Sequence, residues 1–284
     1  PGGFHISTDS ATKVEGGIVI EDDDGNQFVW IPTGTYKVSA TLSSTGTLIN
    51  ELSRRQWGTT KDVVQEPSFI AGDEVAEGYY GEYYYGEGDS HSCTIVDGTN
   101  SIDAFLSSAK PIIEGGYGGF YIGRYEQGTG NVCKVGVTPY VNITRNVAKS
   151  EAEDMYSARS DIKATSQLIS SYAWDTVLNF ICQTNVEGYT LATTTNSRYG
   201  NIGTGSRENT GEYIADKYNN IYDLIGNCYE FTTEYSTYST NDGITPCVAR
   251  GSGYYLTGVY TAIRSSHMEN YYGNDLSFRI VLVI

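Results

Sequence analysis

The sequence is short of the residues on which common catalytic and metal sites depend. It contains 3 His and 5 Cys among 284 residues, and no two cysteines are spaced as a CxxC pair. A Ser–His–Asp triad would have to form around His267, because His5 and His91 lie in polar segments. We expect no zinc site, because the chain also lacks the His residues and paired Cys residues that would bind the ion. The chain also lacks a GxxxxGK[ST] loop and a strand-linked GxGxxG segment for nucleotide phosphates.

Positive charge and long apolar runs are scarce as well. There are 18 Lys and Arg against 34 Asp and Glu, which gives a formal net charge of -16. This charge repels phosphate polymers and anionic lipids, so we expect no nucleic-acid partner. No stretch reaches the ~18 apolar residues of a membrane span, so we expect no membrane insertion, and the first residues do not resemble a secretion signal.

Proline and methionine are rare, whereas the chain has 33 Gly and 25 Tyr. That bias favours β structure, tight turns and amphipathic contact surfaces over a helical bundle. The chain is 39% hydrophobic and only 18% charged, so we expect it to fold. Cys182 lies in an apolar helical pattern typical of a core residue, and a disulfide between Cys228 and Cys247 across a hairpin is left open.

The organisation predicted along the chain begins with residues 1–27 as an N-terminal arm or hairpin. Its acidic turn precedes the strand at residues 28–32, where the main domain, residues 28–284, begins. The Tyr/Gly-rich tract at residues 78–88 is either a solvent-facing loop or a binding loop. Period-two alternation predicts a further strand at residues 119–126.

Two amphipathic helices are predicted in the middle of the chain. Thr144 caps the first, and Ser170 or Ser171 begins the second. Their apolar stripes favour packing on a sheet: Ala148, Ala152, Met155 and Tyr156 in the first helix, and Trp174, Val177, Leu178 and Ile181 in the second. Strand-like pieces follow at residues 221–231, 247–251 and 277–284. The pattern predicts an α+β domain, with two or more helices packed on short antiparallel sheets, much irregular loop, and termini that meet in one sheet.

Five ordered motifs carry a family resemblance. Residues 220–231 read NIYDLIGNCYEF, residues 248–254 read VARGSGY and residues 277–282 read SFRIVL. Upstream, residues 28–32 read FVWIP and residues 120–126 read FYIGRYE. This ordered set resembles the formylglycine-generating-enzyme (sulfatase-modifying factor) family, a branch of the C-type-lectin-like fold. The resemblance implies that fold from about residue 28 to the end.

The residues expected for the family's chemistry are missing. Its formylglycine-generating members carry two cysteines between the RGGS and GFR motifs, but the corresponding residues 253–276 contain none, and the last cysteine is Cys247. Three scattered histidines cannot supply the iron site of the sulfoxide-forming members. We therefore expect a non-catalytic protein without a catalytic cofactor. Asn227 and Glu230 match positions that approach a calcium ion in some family members, which implies a possible structural calcium site.

Residues 253–276 instead resemble the variable region of proteins diversified by diversity-generating retroelements. In that family, mutation at template adenines turns Asn codons into Tyr, Ser, Asp, His and others. The resemblance implies a ligand-binding set composed of Tyr254, Tyr255, Tyr260, Ser265, Ser266, His267, Asn270, Tyr271, Tyr272, Asn274 and Asp275. Tyr supplies rigid amphipathic area, and the short polar residues supply adaptable hydrogen bonds.

The function implied is recognition of a protein or glycan receptor on a cell or particle surface. The bearer would be a bacterial cell surface or a phage virion. Two alternatives are an enzyme of the formylglycine-generating superfamily with an atypical site, and a structural surface or virion protein whose Tyr/Gly loops self-associate.

Overall fold

The computed structural model describes residues 1–52, 118–185, 200–235, 239–240, 243–244, 247–257, 261–262, 264–268 and 270–284. The Tyr/Gly-rich tract at residues 78–88 lies outside these ranges, as do His91, Cys93 and Tyr260. No helix in the described ranges has the length and apolar character required to cross a bilayer.

The larger sheet contains strands from both ends of the chain. Its strands are β1 (Phe4–Ile6), β2 (Val19–Asp22), β3 (Gln27–Pro32), β6 (Gly119–Gly123), β7 (Thr165–Leu168) and β14 (Ile280–Val283). They lie in the order β1-β2-β3-β6-β14-β7, and each neighbouring pair is antiparallel. The prediction that the termini meet in one sheet is confirmed. The N-terminal residues do form a hairpin, and its strands belong to this sheet.

Local turn chemistry explains the β2–β3 hairpin. One oxygen of the Asp22 carboxylate accepts hydrogen bonds from the backbone N–H of Asp24 at 3.0 Å and of Asn26 at 2.8 Å. Gly25 has a φ of 84°, a left-handed conformation that glycine adopts without a steric penalty. The predicted acidic turn is therefore confirmed, and its hydrogen bonds fix the register of the hairpin.

The second sheet has four strands and lies beside the exposed loops near the C-terminus. These are β8 (Tyr229–Tyr235), β11 (Cys247–Arg250), β12 (Arg264–His267) and β13 (Leu276–Phe278), in the order β12-β11-β8-β13. The β8–β13 pair is parallel. Two short hairpins complete the described strands: β4 (Gly34–Lys37) with β5 (Thr47–Asn50), and β9 (Ser239–Thr240) with β10 (Gly243–Ile244).

Both predicted helices are present. Helix α1 (Arg145–Asp154) begins after Thr144, whose hydroxyl accepts a hydrogen bond from the N–H of Val147. Helix α2 (Ser171–Thr184) begins after Ser170, whose hydroxyl accepts from the N–H of Ala173, so Ser170 is the cap. Helix α1 packs on β7 and β8, and α2 packs on β3, β5 and β8. Every residue predicted for the α2 stripe is fully buried: Trp174, Val177, Leu178 and Ile181.

The predicted C-terminal strands need two corrections. Residues 221–228 are turns and bridges, and the strand starts only at Tyr229. The reason is that Asp223, Gly226 and Asn227 have positive φ, which a regular ladder does not accept. Residues 277–284 do not form one strand, because β13 belongs to the second sheet and β14 to the first. Arg279 lies between these strands, at the junction of the two sheets.

Candidate ligand-binding surface

The segment after the RG motif forms a surface beside strand β12, an edge strand of the second sheet. It combines the loop at residues 251–257, strand β12 with the following Met268, and the loop at residues 270–275, and we call it the C-terminal surface. Four large side chains with substantial exposure lie in it: Tyr255 (48%), Met268 (42%), Tyr271 (41%) and Tyr272 (66%). Exposed apolar area concentrated in this way is typical of an interaction site.

The predicted ligand-binding residues divide into groups. The exposed ones are Tyr255, Asn270, Tyr271, Tyr272 and Asn274, and the partly exposed ones are Tyr254 and His267. Ser265 and Asp275 are buried, with 7% and 5% exposure. The backbone of Ser266 belongs to β12, but its side chain lies outside the described set, as does Tyr260. Ser265 faces inward because alternate residues of a strand point to opposite faces.

Sequence reasoning missed two residues of this surface. Met268 lies within the predicted segment but is not a residue type expected from adenine mutation, although its exposure makes it part of the contact area. Arg207 comes from a separate segment, and its guanidinium donates a hydrogen bond to the carbonyl oxygen of Asn274. No sequence signal links Arg207 to the C-terminal loop, because only the fold brings the two together.

Aromatic and polar contacts hold the exposed tyrosines in place. The rings of Tyr254 and Tyr255 meet edge to face, with centroids 5.5 Å apart. The Tyr255 hydroxyl donates a hydrogen bond of 2.9 Å to Asp275 Oδ2. Burial and the adjacent Asp275 carboxylate raise the pKa of Tyr255, so its phenol stays protonated at neutral pH. The ring of Tyr271 lies 5.5 Å from His267 at an interplanar angle of 31°.

His267 lies in an aromatic shell below the exposed rings. The edges of Tyr229 and Phe231 approach it at centroid distances of 5.6 and 6.5 Å. Its Nε2 atom is buried and has no hydrogen-bond partner among the described residues. Burial lowers the pKa of His267 from 6.5 to about 4, against the opposing effect of Asp275. The imidazole is therefore neutral at physiological pH.

The lowered pKa of His267 predicts that this residue makes a pH-dependent contribution to the free energy of unfolding. Between pH 6.5 and about 4 the unfolded chain protonates His267 while the folded chain does not, so the unfolded state binds more protons. The stabilisation from a neutral His267 is complete above pH 6.5 and is lost as the pH falls towards 4. We expect urea denaturation to show that wild type loses stability relative to His267→Phe over this window. Parallel profiles for the two proteins would contradict the shift.

A buried frame lies directly under the C-terminal surface. The N–H of Tyr254 donates to the carbonyl of Asn227 at 2.9 Å, and the N–H of Gly226 donates to that of Gly251 at 2.8 Å. The side-chain amide of Asn227 donates to Glu126 Oε2 at 2.7 Å. These bonds connect residues 226–228 of the NIYDLIGNCYEF motif to the loop at residues 251–257, so the frame fixes the backbone position of Tyr254.

The two arginines of the C-terminal motifs anchor the same frame. Arg250 donates to Asp175 Oδ1 at 2.6 Å and lies over the ring of Trp174, which ties β11 to helix α2. Arg279 forms a bidentate pair with Glu230 and also donates to the carbonyl of Gly123 on β6 at 2.9 Å. Both guanidinium groups are fully buried.

The residues suggested for calcium are already engaged with protein groups. Asn227 Oδ1 accepts from the side chain of Asn201 at 3.1 Å and from the N–H of Glu208 at 2.9 Å. Both oxygens of Glu230 accept from Arg279. Calcium requires about six to eight oxygen ligands. Within the described ranges no group of three or more His, Cys, Asp or Glu could hold a metal ion. These residues do not fit a calcium site as they are arranged, and calcium binding stays an untested prediction.

Among the described residues, no disulfide joins any two of the four cysteines Cys133, Cys182, Cys228 and Cys247. The disulfide left open between Cys228 and Cys247 is therefore not formed. Burial raises the pKa of Cys133 to about 11 and also raises that of Cys228. Neither thiol is a thiolate at neutral pH, which is the form that acts as a nucleophile or metal ligand. Cys182, predicted as a core residue, is partly buried near the end of α2 and packs against the core.

Comparisons with known proteins address the fold. Neither a protein-family model nor a curated protein matches the chain. PvdO from Pseudomonas aeruginosa is similar over 94% of this chain and 98% of its own, with 13% identity and a TM-score of 0.50. CarF is similar over 59% and 87%, with 15% identity and a TM-score of 0.44. Treponema denticola variable protein 1 is similar over 58% and 85%, with 14% identity and a TM-score of 0.39.

The PvdO similarity extends over nearly the whole of both chains, and PvdO has a formylglycine-generating-enzyme-like fold. The predicted mixed fold with few helices is therefore confirmed for the present chain, and its sheets are antiparallel except at the β8–β13 pair. At such low identity the similarity concerns the fold alone. It carries no information on activity.

Proposed function

We propose that the chain is a non-catalytic ligand-binding protein with a C-type-lectin-like scaffold, and that its C-terminal surface is diversified by a retroelement. The observation that carries the proposal is the contrast between two adjacent layers. The motif residues on either side of the segment, such as Arg250 and Arg279, are fully buried, while Tyr255, Tyr271 and Tyr272 between them are exposed. Exchange of the exposed side chains would leave the buried layer intact.

The chemistry of the surface suits recognition of a macromolecule. Tyrosine offers a large rigid contact area at low entropic cost, and Asn270 and Asn274 offer adaptable hydrogen bonds. Specific interfaces bury roughly 800 Å² per partner. We propose a protein or glycan receptor on a cell or particle surface as the partner, with the chain on a bacterial cell or a phage virion.

The enzymatic alternative has less support from the described residues. Cys133 and Cys228 are buried thiols with raised pKa values, and the neutral His267 has its Nε2 enclosed by aromatic rings. A nucleophile–base pair needs both groups within hydrogen-bonding reach of a substrate. The remaining alternative, a self-associating structural protein, differs from the proposal in one testable respect, because it does not require exchangeable side chains.

A pair of displayed libraries tests the proposal. In one, codons for Tyr254, Tyr255, Asn270, Tyr271, Tyr272 and Asn274 are randomised. In the control library, the randomised positions are other exposed residues, Ile6, Ile49, Val135, Val147 and Ile214. Both libraries are selected against a panel of unrelated proteins. We expect most members of each library to fold, and binders of new specificity to come from the first library only.

The result decides between a recognition surface and a structural one. If both libraries yield binders equally, or neither does, the C-terminal surface has no special capacity for recognition and the proposal fails. If most members of the first library unfold, the side chains are structural, and exchange without loss of the fold is impossible.

A further inference from the structure

Asp275 differs from Asp175 and Glu230, the two buried acids that pair with the arginines of the frame. Buried carboxylates are normally paired with a cation. Asp175 pairs with Arg250 at 2.6 Å, and Glu230 pairs with Arg279 at 2.5 Å. Asp275, with 5% exposure, receives one side-chain hydrogen bond from the described residues, and its donor is the Tyr255 hydroxyl. Within the described part of the chain, no Lys or Arg forms an ion pair with it.

The surroundings of Asp275 are aromatic and partly open. Tyr255 contacts Oδ2, and Tyr271 lies near the other oxygen. A Cβ atom placed on Gly273 would lie 2.3 Å from Asp275 Oδ1 and 3.0 Å from the Tyr271 hydroxyl oxygen, so these two oxygens converge over one glycine. About half of Tyr255 and 41% of Tyr271 remain exposed. A carboxylate between tyrosine rings attracts a cation both through its charge and through the ring faces.

Arg207, a described cation that contacts the adjacent residue, does not meet this need. Arg207 donates to the carbonyl of Asn274, the residue before Asp275, and not to the carboxylate. The whole chain carries a net charge of -16, so its long-range field attracts a basic partner to the surface. Met268 and Tyr272 add exposed apolar area to the same C-terminal surface, which suits a side chain presented by a protein rather than a small free ion.

We propose that the ligand of this chain is a protein that presents a lysine or arginine side chain to Asp275, between Tyr255 and Tyr271. The inference rests on the proposed function and adds the chemical class of the ligand. It applies to the side chains present in this sequence, because a diversified relative with another residue at position 275 would select a different partner.

Selection from a random displayed peptide library tests the proposal with the full chain as bait. Wild type, Asp275→Asn and Asp154→Asn are compared. The amide oxygen introduced by Asp275→Asn can still accept the Tyr255 hydrogen bond. Asp154 is an exposed acid at the end of α1, so its variant removes the same charge elsewhere. We expect peptides selected on wild type and on Asp154→Asn to share one enriched Lys or Arg position, and Asp275→Asn to lose that enrichment.

Affinities of one selected peptide then quantify the contact. Replacing its enriched Lys or Arg by Gln weakens binding to wild type at least about tenfold, since a charge pair at a mostly buried site is lost. The same replacement has little effect on binding to Asp275→Asn. The peptide-side change uses unaltered protein, so it decides the question even if a variant folds poorly.

Several outcomes overturn the inference. Selection of neutral or acidic peptides on wild type overturns it, as does a selection that yields no binders. Equal enrichment of Lys or Arg on the Asp275→Asn bait also overturns it, because that enrichment would reflect only the net charge of the chain. The proposed function is tested separately by the randomised libraries. If those libraries yield binders but the peptide selection shows no preference for Lys or Arg, the cation inference fails and the proposed function stands.

Discussion

Replacement of Arg279 by methionine lowers the free energy of unfolding by about 3–5 kcal/mol, the usual cost of breaking a buried ion pair by removing one partner. The guanidinium is fully buried and donates to Glu230 and to the carbonyl oxygens of Gly123, Tyr222 and Asp223. Methionine fills much of the volume but leaves these acceptors without their donor. Urea denaturation measures the loss.

The cost is high because Arg279 also balances neighbouring carboxyl groups. Glu126 and Asp223 lie close to the Glu230–Arg279 pair, and both Arg279 and Glu126 are fully inaccessible to solvent. Burial and the nearby Asp223 and Glu230 carboxyls raise the pKa of Glu126. Without the guanidinium, the remaining negative charges must either repel one another or take up protons.

Arg159→Met is the matched control. Arg159 forms equally short ion pairs, with Asp24 at 2.7 Å and Asp161 at 2.8 Å, but on the exposed surface. Exposed pairs contribute little because water screens them. We expect its unfolding midpoint to match wild type. Equal losses in the two variants would show that the Arg279 cluster does not tie the sheets together.

Gly226→Ala lowers stability by about 3 kcal/mol or more and disturbs the frame under the C-terminal surface. Gly226 has a φ of 78°, and an added Cβ would lie 2.3 Å from the carbonyl oxygen of Asn201. That oxygen accepts the N–H of Asn227 at 3.0 Å, so it cannot move freely. The strain of a left-handed alanine and the steric overlap of its Cβ with the Asn201 carbonyl therefore both contribute to the loss of stability. Urea denaturation gives the loss, and near-UV circular dichroism reports the nearby tyrosines.

Gly205→Ala separates the two causes. Gly205 has the same φ of 78°, but no atom of the described residues lies within 4 Å of an added Cβ. Only the conformational penalty of about 1 kcal/mol applies there. If Gly226→Ala lowers the free energy of unfolding no more than Gly205→Ala does, the packing between residues 226 and 201 is looser than the structure shows. The frame under the C-terminal surface would then be less rigid.

Local sequence patterns predicted the regular elements well. Thr144 and Ser170 cap their helices as expected, and the acidic turn at Asp22 forms its hairpin. These features depend on contacts between residues close in sequence, such as a cap hydroxyl and an N–H three residues on. The ordered motifs contain buried residues such as Arg279, whose contacts with Glu230 and Gly123 join the two sheets.

The rest depends on contacts that a sequence does not display. The strand-like piece predicted at residues 221–231 begins too early, since positive φ at Asp223 and Asn227 leaves no trace in hydrophobicity. Ser265 and Asp275 share the composition of the exposed set, yet strand alternation and the Tyr255 hydrogen bond bury them. Arg207 reaches the surface from a distant segment. Only the fold shows which members of the set a ligand can contact.

Sequencing the coding region for residues 200–284 across a population of the source organism tests most directly whether a rigid scaffold carries an exchangeable contact surface. We expect substitutions to concentrate at adenines in the codons of exposed residues such as Tyr255, Tyr271 and Tyr272, with a near-copy of the segment and a reverse-transcriptase gene nearby. The codons for Gly226, Arg250 and Arg279 should stay constant. A uniform sequence, or substitutions spread evenly over surface and frame, would contradict diversification of this surface.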